Sequence, residues 1–225
     1  MTAFFAIPVM AEDATIDFSY GTSGEEFKVY GYGKKETYDV AIRLGQEMAG
    51  AKVNGFTVPL PVDAVQVANL KGWLSSELKL EKKKNVPDLG EVEAILDEWT
   101  LSATFPEPVT VPENGIYVGY SFDIVSLDEI EGVYSYPGDP IACVSGSNPD
   151  GMYVHTSRSM LKWKSIVEQI GGLSPLTVSL TGNFRAEAAA ASIASKPYME
   201  QGKEGSFLLT VTNHGSTEIS NIHMR

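Results

Sequence analysis

Apolar and polar residues alternate with a period of two in the middle of the chain. From Trp99 to Ile124 the sequence reads WTLSATFPEPVTVPENGIYVGYSFDI. β-Branched and aromatic residues in alternation favour strands, and the Pro-Glu-Asn-Gly segment at 112–115 favours a turn. The pattern predicts two extended strands joined by that turn.

Short apolar runs separated by glycine-rich or polar turns recur along most of the chain. Residues 14–40 predict three strands, and residues 41–61 predict two strands around a one-turn element at Gln46 to Ala49, with Pro59 and Pro61 ending the second. Further strands are predicted over 65–79 and 173–184, and loops over 80–90, 127–142 and 145–151. Many short strands at this spacing are typical of an all-β fold.

Residues 91–99 fit two descriptions. Val92, Ile95, Leu96 and Trp99 have the spacing of an apolar helical stripe. We prefer a strand, because the neighbours on both sides are strands and the stretch is shorter than about ten residues.

The C-terminal region begins with the alanine-rich segment 185–195, which alone has high helix propensity. Alternating apolar residues follow over 207–212, and a turn follows at Asn213 to Gly215. This context favours strands. An immunoglobulin-like sandwich needs about seven strands, so residues 186–225 are expected to hold only its opening.

Sequence blocks between Tyr38 and Phe184 carry a family likeness, chiefly YDVAIRL, AGAKVNGFTVPLP, EWTLSATFPEPVTVPENGIYVGYSF and LTVSLTGNF. They resemble the jelly-roll β-sandwich domains of secreted surface proteins of gut and oral anaerobes (Bacteroidetes), related to the cleaved-adhesin modules of gingipain-type proteases. The tail from Ala188 resembles the start of a bacterial cell-adhesion-related immunoglobulin-like domain. The resemblance implies an adhesion or carbohydrate-binding accessory, and its motifs specify no binding residues.

The expected organisation is therefore a jelly-roll-like antiparallel β-sandwich over 12–185 and a partial immunoglobulin-like sandwich over 186–225. Residues 1–11, MTAFFAIPVMA, are expected to be the remnant of a signal peptide, with a buried N-terminal strand as the alternative. Export implies a secreted or cell-surface bacterial protein. Cys143 is the only cysteine and is expected to be a buried hydrophobe.

Charge excludes one class of partner. The formal net charge of -12 disfavours nucleic acid, and composition is that of a folded globular protein. The largest basic cluster, Lys82 to Lys84, is expected to be a solvated loop or an edge-strand guard, with attraction of acidic polymers as the alternative.

Catalytic signatures are absent from the sequence. His155, His214 and His223 lack partners at metal-ligand spacing, and there is no Gly-x-Ser-x-Gly, Walker or His-Glu-x-x-His motif. The chain is expected not to be an enzyme and to need no cofactor, with calcium as the one ion for which ligands are available.

Calcium favours several oxygen ligands from loops. The candidate ligands are Asp123, Asp128, Glu129 and Glu131, with Asn148 and Asp150 as a second set. Neither set matches a defined calcium loop, and solvated carboxylates that aid solubility are the alternative.

Sugar binding calls for an exposed aromatic ring flanked by amide and carboxylate groups. The candidate ligand-binding residues are Tyr134, Tyr136, Asp139, Asn148, Asp150 and Tyr153. Trp73, Trp99 and Trp163 lie in apolar settings and are expected to be in the core.

We expect a non-catalytic adhesion or carbohydrate-binding module of a larger bacterial protein. Its partners would be a glycan, a host or cell-surface protein, and further domains of the same polypeptide. Two alternatives stay open: an accessory domain of a secreted peptidase, and a structural stalk, which predicts buried tyrosines at 134, 136 and 153 and no open groove.

Overall fold

The computed structural model describes residues 14–21, 28–30, 35–62, 66–126, 141–182, 190–194 and 208–212. Its strands are β1 (Ala14–Phe18), β2 (Lys28–Tyr30), β3 (Thr37–Leu44), β4 (Lys52–Pro59), β5 (Val67–Ser75), β6 (Leu80–Glu81), β7 (Lys84–Asn85), β8 (Gly90–Glu93), β9 (Ile95–Asp97), β10 (Thr100–Thr110), β11 (Ile116–Ile124), β12 (Ile141–Ser145), β13 (Tyr153–Thr156), β14 (Lys164–Ser165), β15 (Gly172–Leu173), β16 (Thr177–Gly182), β17 (Ala190–Ala194) and β18 (Leu208–Thr212). Helical structure in these ranges comprises 3-10 turns at Gln46–Met48 and Pro149–Gly151, the 3-10 residue Gln66, and the four-residue helix α1 (Val167–Ile170).

Two antiparallel sheets form a β-sandwich. The five-stranded sheet has the order β1-β16-β4-β10-β9, and the six-stranded sheet has the order β14-β13-β3-β11-β5-β8. The chain passes from one sheet to the other between β3 and β4, between β4 and β5, and again between β10 and β11. The expected all-β sandwich class is confirmed. Separate smaller sheets consist of the strands β15-β12-β2, of the hairpin β6-β7, and of the pair β17-β18.

The core lies between the two sheets and follows the predicted alternation. Its central aromatic stack consists of Tyr38 and Phe122, with ring centroids 5.3 Å apart, and Tyr120, which reaches Phe56 of the opposite sheet at 6.4 Å. Buried residues from the central strands of both sheets form one cluster with these rings: Val40, Ile42, Leu44, Val53, Val58, Leu101, Ala103, Phe105, Ile116, Val118, Val178 and Leu180. Burial of each large side chain stabilises the fold by about 1.5–3 kcal/mol.

The same alternation places polar residues on the outer face of the six-stranded sheet. Because successive side chains of a strand point to opposite faces, Asp39 of β3 points away from the core that Tyr38 and Val40 enter. Ser121 and Asp123 of β11 are placed on the same outer face. The carboxylates of Asp39 and Asp123 and the hydroxyl of Ser121 therefore lie on one face of the sheet.

Residues 91–97 are extended, as predicted, Glu98 and Trp99 form a turn, and the structure explains the helix-like spacing. The chain leaves the six-stranded sheet after β8 and enters the five-stranded sheet at β9, with the buried Ala94 between them. Val92 and Leu96 therefore pack against the core from different sheets. A change of sheet, not a helix, generates the spacing.

The expectation that Trp99 is a core residue is wrong. Its side chain is 47% exposed, whereas Trp73 is completely buried and Trp163 is partly buried. Asp97 pairs with Thr100, so Glu98 and Trp99 form the two-residue turn of the β9-β10 hairpin, and Glu98 has a φ of 51°. A tight turn directs its side chains to solvent. Cys143 is buried, as expected.

Residues 190–194 of the alanine-rich segment form a strand, which pairs with β18 from Ala190 opposite Thr212 to Ala194 opposite Leu208. The remainder of the expected immunoglobulin-like region lies outside the described residues, as does the expected signal-peptide remnant at 1–11. In the described part of the chain, no helix has the length and apolar character needed to cross a bilayer.

Replacing Trp73 by alanine should lower the free energy of unfolding by about 3–5 kcal/mol, because it empties a buried volume. The matched change Trp99→Ala should cost less than about 1 kcal/mol, since the turn position is exposed. Urea unfolding of both variants measures the difference. Equal losses would show that the burial assigned to these two indoles is incorrect.

Candidate ligand groove

A groove of about 450 Å³ lies on the outer face of the six-stranded sheet. This volume falls within the range of roughly 300–1,000 Å³ that small-ligand sites occupy. The twelve described residues that line it are all polar or charged: Thr37, Asp39, Asn69, Lys71, Lys82, Lys83, Lys84, Asn85, Glu91, Ser121, Asp123 and Ser157. We call this site the polar groove.

Strand register brings the residues of the groove floor together. Asp39 of β3 pairs with Ser121 of β11, which in turn pairs with Lys71 of β5. Thr37 pairs with Asp123 two residues further along the same two strands, and therefore on the same face. Directly opposed side chains of neighbouring strands lie about 4.5–5.5 Å apart at Cβ, so three strands build one continuous polar surface.

Asp39 is the centre of a buried hydrogen-bond network. One carboxylate oxygen accepts a hydrogen bond from Ser121 Oγ at 2.5 Å, and the other lies 2.7 Å from His155 Nδ1. Ser121 Oγ accepts from Trp73 Nε1 at 2.9 Å. The Asp39 and His155 residues are only 2% and 1% exposed. The network fixes the orientation of the Asp39 carboxylate at the groove floor.

The geometry does not match a Ser-His-Asp triad. In a triad the serine hydroxyl bonds to the histidine, whereas Ser121 donates its proton to Asp39. With a proton on Nδ1, a neutral His155 presents Nε2 as an acceptor, and Nε2 has no hydrogen-bond partner among the described residues. The arrangement therefore holds the Asp39 carboxylate in place and is not a Ser-His-Asp triad.

Trp73 lies over the backbone of β11, which explains Gly119. A Cβ atom at Gly119 would lie 2.3 Å from Trp73 Cζ2 and 2.6 Å from the carbonyl oxygen of Val40. The indole also contacts Trp163, whose ring lies 5.6 Å from that of His155. Glycine in the Tyr-Val-Gly-Tyr segment thus allows Trp73 to support the Asp39 network from one side.

The Asp123 carboxylate forms one wall of the groove. It accepts hydrogen bonds from Thr37 Oγ1 and from Asn69 Nδ2, both at 2.6 Å. Of the four candidate calcium ligands, only Asp123 lies within the described residues. Asp128, Glu129 and Glu131 lie outside them. The described ranges hold no cluster of three or more His, Cys, Asp or Glu side chains suited to a metal ion, and the calcium site stays a prediction.

The β6-β7 hairpin forms the rim of the groove. Glu81 pairs with Lys84, so Lys82 and Lys83 form a two-residue turn, with φ values of 49° and 67°. Positive φ at both central positions is the type I′ geometry that suits tight hairpins. Lys84 and Asn85 follow in β7. The expected solvated loop is therefore a hairpin tip beside a groove.

Glu36 holds the loop that brings Ser157 to the groove. Its carboxylate accepts hydrogen bonds from Arg158 N at 2.7 Å, from Ser159 N at 2.9 Å and from Ser159 Oγ at 2.6 Å. Ser157 Oγ accepts from Thr37 N at 3.1 Å. Burial raises the pKa of Glu36, but the hydrogen bonds from Ser159 and Arg158 outweigh burial, and the net pKa lies below its ordinary value.

Three of the predicted sugar-binding residues come together at a different place. Tyr153 donates its hydroxyl proton to Asp150 at 2.8 Å, and Asn148 accepts from Asp150 N at 2.9 Å. Arg43 lies 3.5 Å from Asp150. None of these residues lines the polar groove. Burial and the hydrogen bond to Asp150 raise the pKa of the Tyr153 hydroxyl.

The other predicted sugar-binding residues, Tyr134, Tyr136 and Asp139, lie outside the described residues. Sequence reasoning did not find the groove residues Thr37, Asp39, Asn69, Asn85 and Ser121. The feature of the sequence that could have pointed to them is the set of polar positions in the same alternation that predicted the strands. Polar positions on a strand are ordinarily interpreted as solvent-facing, which conceals a groove.

Comparison of the chain with protein-family models, with curated proteins and with solved structures finds no match. Architecture alone identifies no activity, because one fold hosts many functions. The chemistry of the groove is therefore the basis for a functional conclusion.

Replacing Glu36 by glutamine should lower the free energy of unfolding at about pH 7 by roughly 1–3 kcal/mol, the usual effect of losing a charge-assisted hydrogen bond. A lowered folded-state pKa stabilises the fold above the unfolded-state pKa, and this contribution is lost as pH falls through the folded value.

The gap between wild type and Glu36→Gln should therefore narrow progressively in urea unfolding experiments as pH falls from about 7 to below the ordinary glutamate pKa of 4.5. Glu113→Gln, at an exposed turn residue, controls for the loss of one carboxylate. A gap of constant size across this range would contradict the role given to Glu36.

Proposed function

We propose that this chain is a non-catalytic, secreted or cell-surface module that binds a saccharide in the polar groove and serves adhesion or glycan recognition within a larger bacterial protein. One observation carries the proposal: every described residue that lines the groove is polar or charged. The sequence resemblance to cleaved-adhesin jelly-roll domains supports this proposal, because it implies an adhesion or carbohydrate-binding accessory.

The composition of the groove selects the class of ligand. Sites for drug-like or apolar ligands are lined mainly by hydrophobic and aromatic side chains with a few polar groups. Here hydroxyl, amide, carboxylate and ammonium groups supply donors and acceptors on all sides. A ligand with many hydroxyl groups matches this surface. The described residues that line the groove include no aromatic side chain, so the proposed recognition relies on hydrogen bonds and not on ring stacking.

Asn85 marks a place for such a ligand. Both the Nδ2 and the Oδ1 atoms of its side chain are buried and have no hydrogen-bond partner among the described residues. More than about nine in ten buried polar groups are paired in native proteins, and an unpaired one costs about 1–3 kcal/mol. Because Asn85 lines the groove, a turn of its side chain toward the groove would let a sugar hydroxyl pair, which donates and accepts, satisfy both atoms.

The supporting residues hold the groove in a fixed shape. Asp39 is bound by His155 and Ser121, and Asp123 is bound by Thr37 and Asn69. Fixed acceptors lose little conformational entropy on binding, which favours affinity. An open polar groove also differs from the surface that a structural stalk predicts.

The test is a glycan array probed with the full chain and with three asparagine variants. Asn85→Ala should weaken binding by roughly tenfold or more, because it removes two ligand contacts without breaking a bond in the folded protein. Asn114→Ala, at an exposed turn position, is the matched control and should bind as wild type does.

Asn148→Ala separates the polar groove from the other candidate site. If Asn148→Ala abolishes glycan binding while Asn85→Ala leaves it intact, the ligand binds beside Tyr153 and the assignment to the polar groove is wrong. Failure of the wild-type chain to bind any glycan would contradict the proposed function itself.

A further inference from the structure

The positive and negative groups of the polar groove differ in how fully they are paired. Each of its three carboxylates already has donors: Asp39 from His155 and Ser121, Asp123 from Thr37 and Asn69, and Glu91 from Lys71. The negative charges of the groove are thus engaged within the protein.

The lysines at the rim have no such partners. Among the described residues, Lys82, Lys83 and Lys84 form neither an ion pair nor a side-chain hydrogen bond. The nearby Glu81 is paired with Lys79 instead. In a chain of net charge -12, three consecutive unpaired ammonium groups at the edge of a groove are a local excess of positive charge.

The turn holds the backbone of Lys82 and Lys83 in an uncommon conformation with positive φ. Type I′ turns favour asparagine and glycine at the two positions that Lys82 and Lys83 occupy, because positive φ is strained for other residues. Folding alone therefore does not account for lysine at either position. Binding of an anion at the rim gives both residues a role.

We propose that the polar groove selects a saccharide that carries an anionic substituent, a carboxylate or a sulfate ester, and that Lys82, Lys83 and Lys84 bind this substituent. Asn85, adjacent to Lys84 in β7, then contacts the hydroxyl groups of the same sugar. The inference rests on the proposed saccharide-binding function and names the ligand class of the same site.

Titration calorimetry of the full chain tests the proposal with two matched pairs of probes. The first pair is a trimer of galacturonic acid and its fully methyl-esterified, neutral form. The second pair is a sulfated galactose oligosaccharide and its desulfated form. At least one anionic probe should bind roughly tenfold or more tightly than its neutral partner, and this advantage should shrink as salt rises from about 0.05 M to about 0.5 M. The pair that shows the advantage identifies the substituent.

Variants assign the effect to the rim. The triple change Lys82→Gln, Lys83→Gln and Lys84→Gln should reduce anionic binding to the level of the neutral probe. The charge-matched control changes Lys52, Lys162 and Lys164 to glutamine, because these exposed lysines do not line the groove. It should bind as wild type does. The salt dependence of the wild-type chain provides a readout that needs no variant to fold.

Two results would overturn the selectivity for anions and leave saccharide binding in place: equal affinity for both members of each pair, or unchanged anionic binding in the Lys82, Lys83 and Lys84 variant. In either case Asn85→Ala should still weaken the neutral probe. If no saccharide binds on the array or in the calorimeter, the proposed function and this inference both fail.

Discussion

The register between β3 and β11 is the constraint on which the rest of the structure depends. With Val40 opposite Tyr120 and Asp39 opposite Ser121, the two strands supply the aromatic core on one face and the groove floor on the other. A shift of one residue would exchange the faces and bury Asp39 among the rings. The apolar core therefore enforces the position of the polar site.

The buried Asp39 carboxylate at the groove floor is tolerated because each of its two oxygens has a hydrogen-bond partner. An unpaired carboxylate away from water costs several kcal/mol, so Asp39 requires both His155 and Ser121. Trp73 extends this network towards the hydrophobic packing of Trp163, and Gly119 makes room for the indole. Packing and hydrogen bonding thus stabilise the same carboxylate from different sides.

The fold was predictable from the sequence to a larger extent than the site. Alternation and turn residues predicted β10, the turn at 112–115 and β11, since these signals are local. The groove was not predictable, because its partners are distant in the chain: Thr37 meets Asp123 and His155 meets Asp39 only after the sheet forms. The prediction that Trp99 is a core residue was wrong for a related reason, because its apolar character gives no sign that it occupies a turn.

The β6-β7 hairpin is a sheet of its own, separate from the two sheets of the sandwich. Substitutions at its tip leave the core and the groove floor untouched, so they are free of the stability cost that limits changes at Asp39 or Trp73. The groove rim and the folding core are therefore encoded in separable parts of the chain. A few substitutions at the rim can therefore alter the charge and shape of the groove entrance while the sandwich architecture is retained.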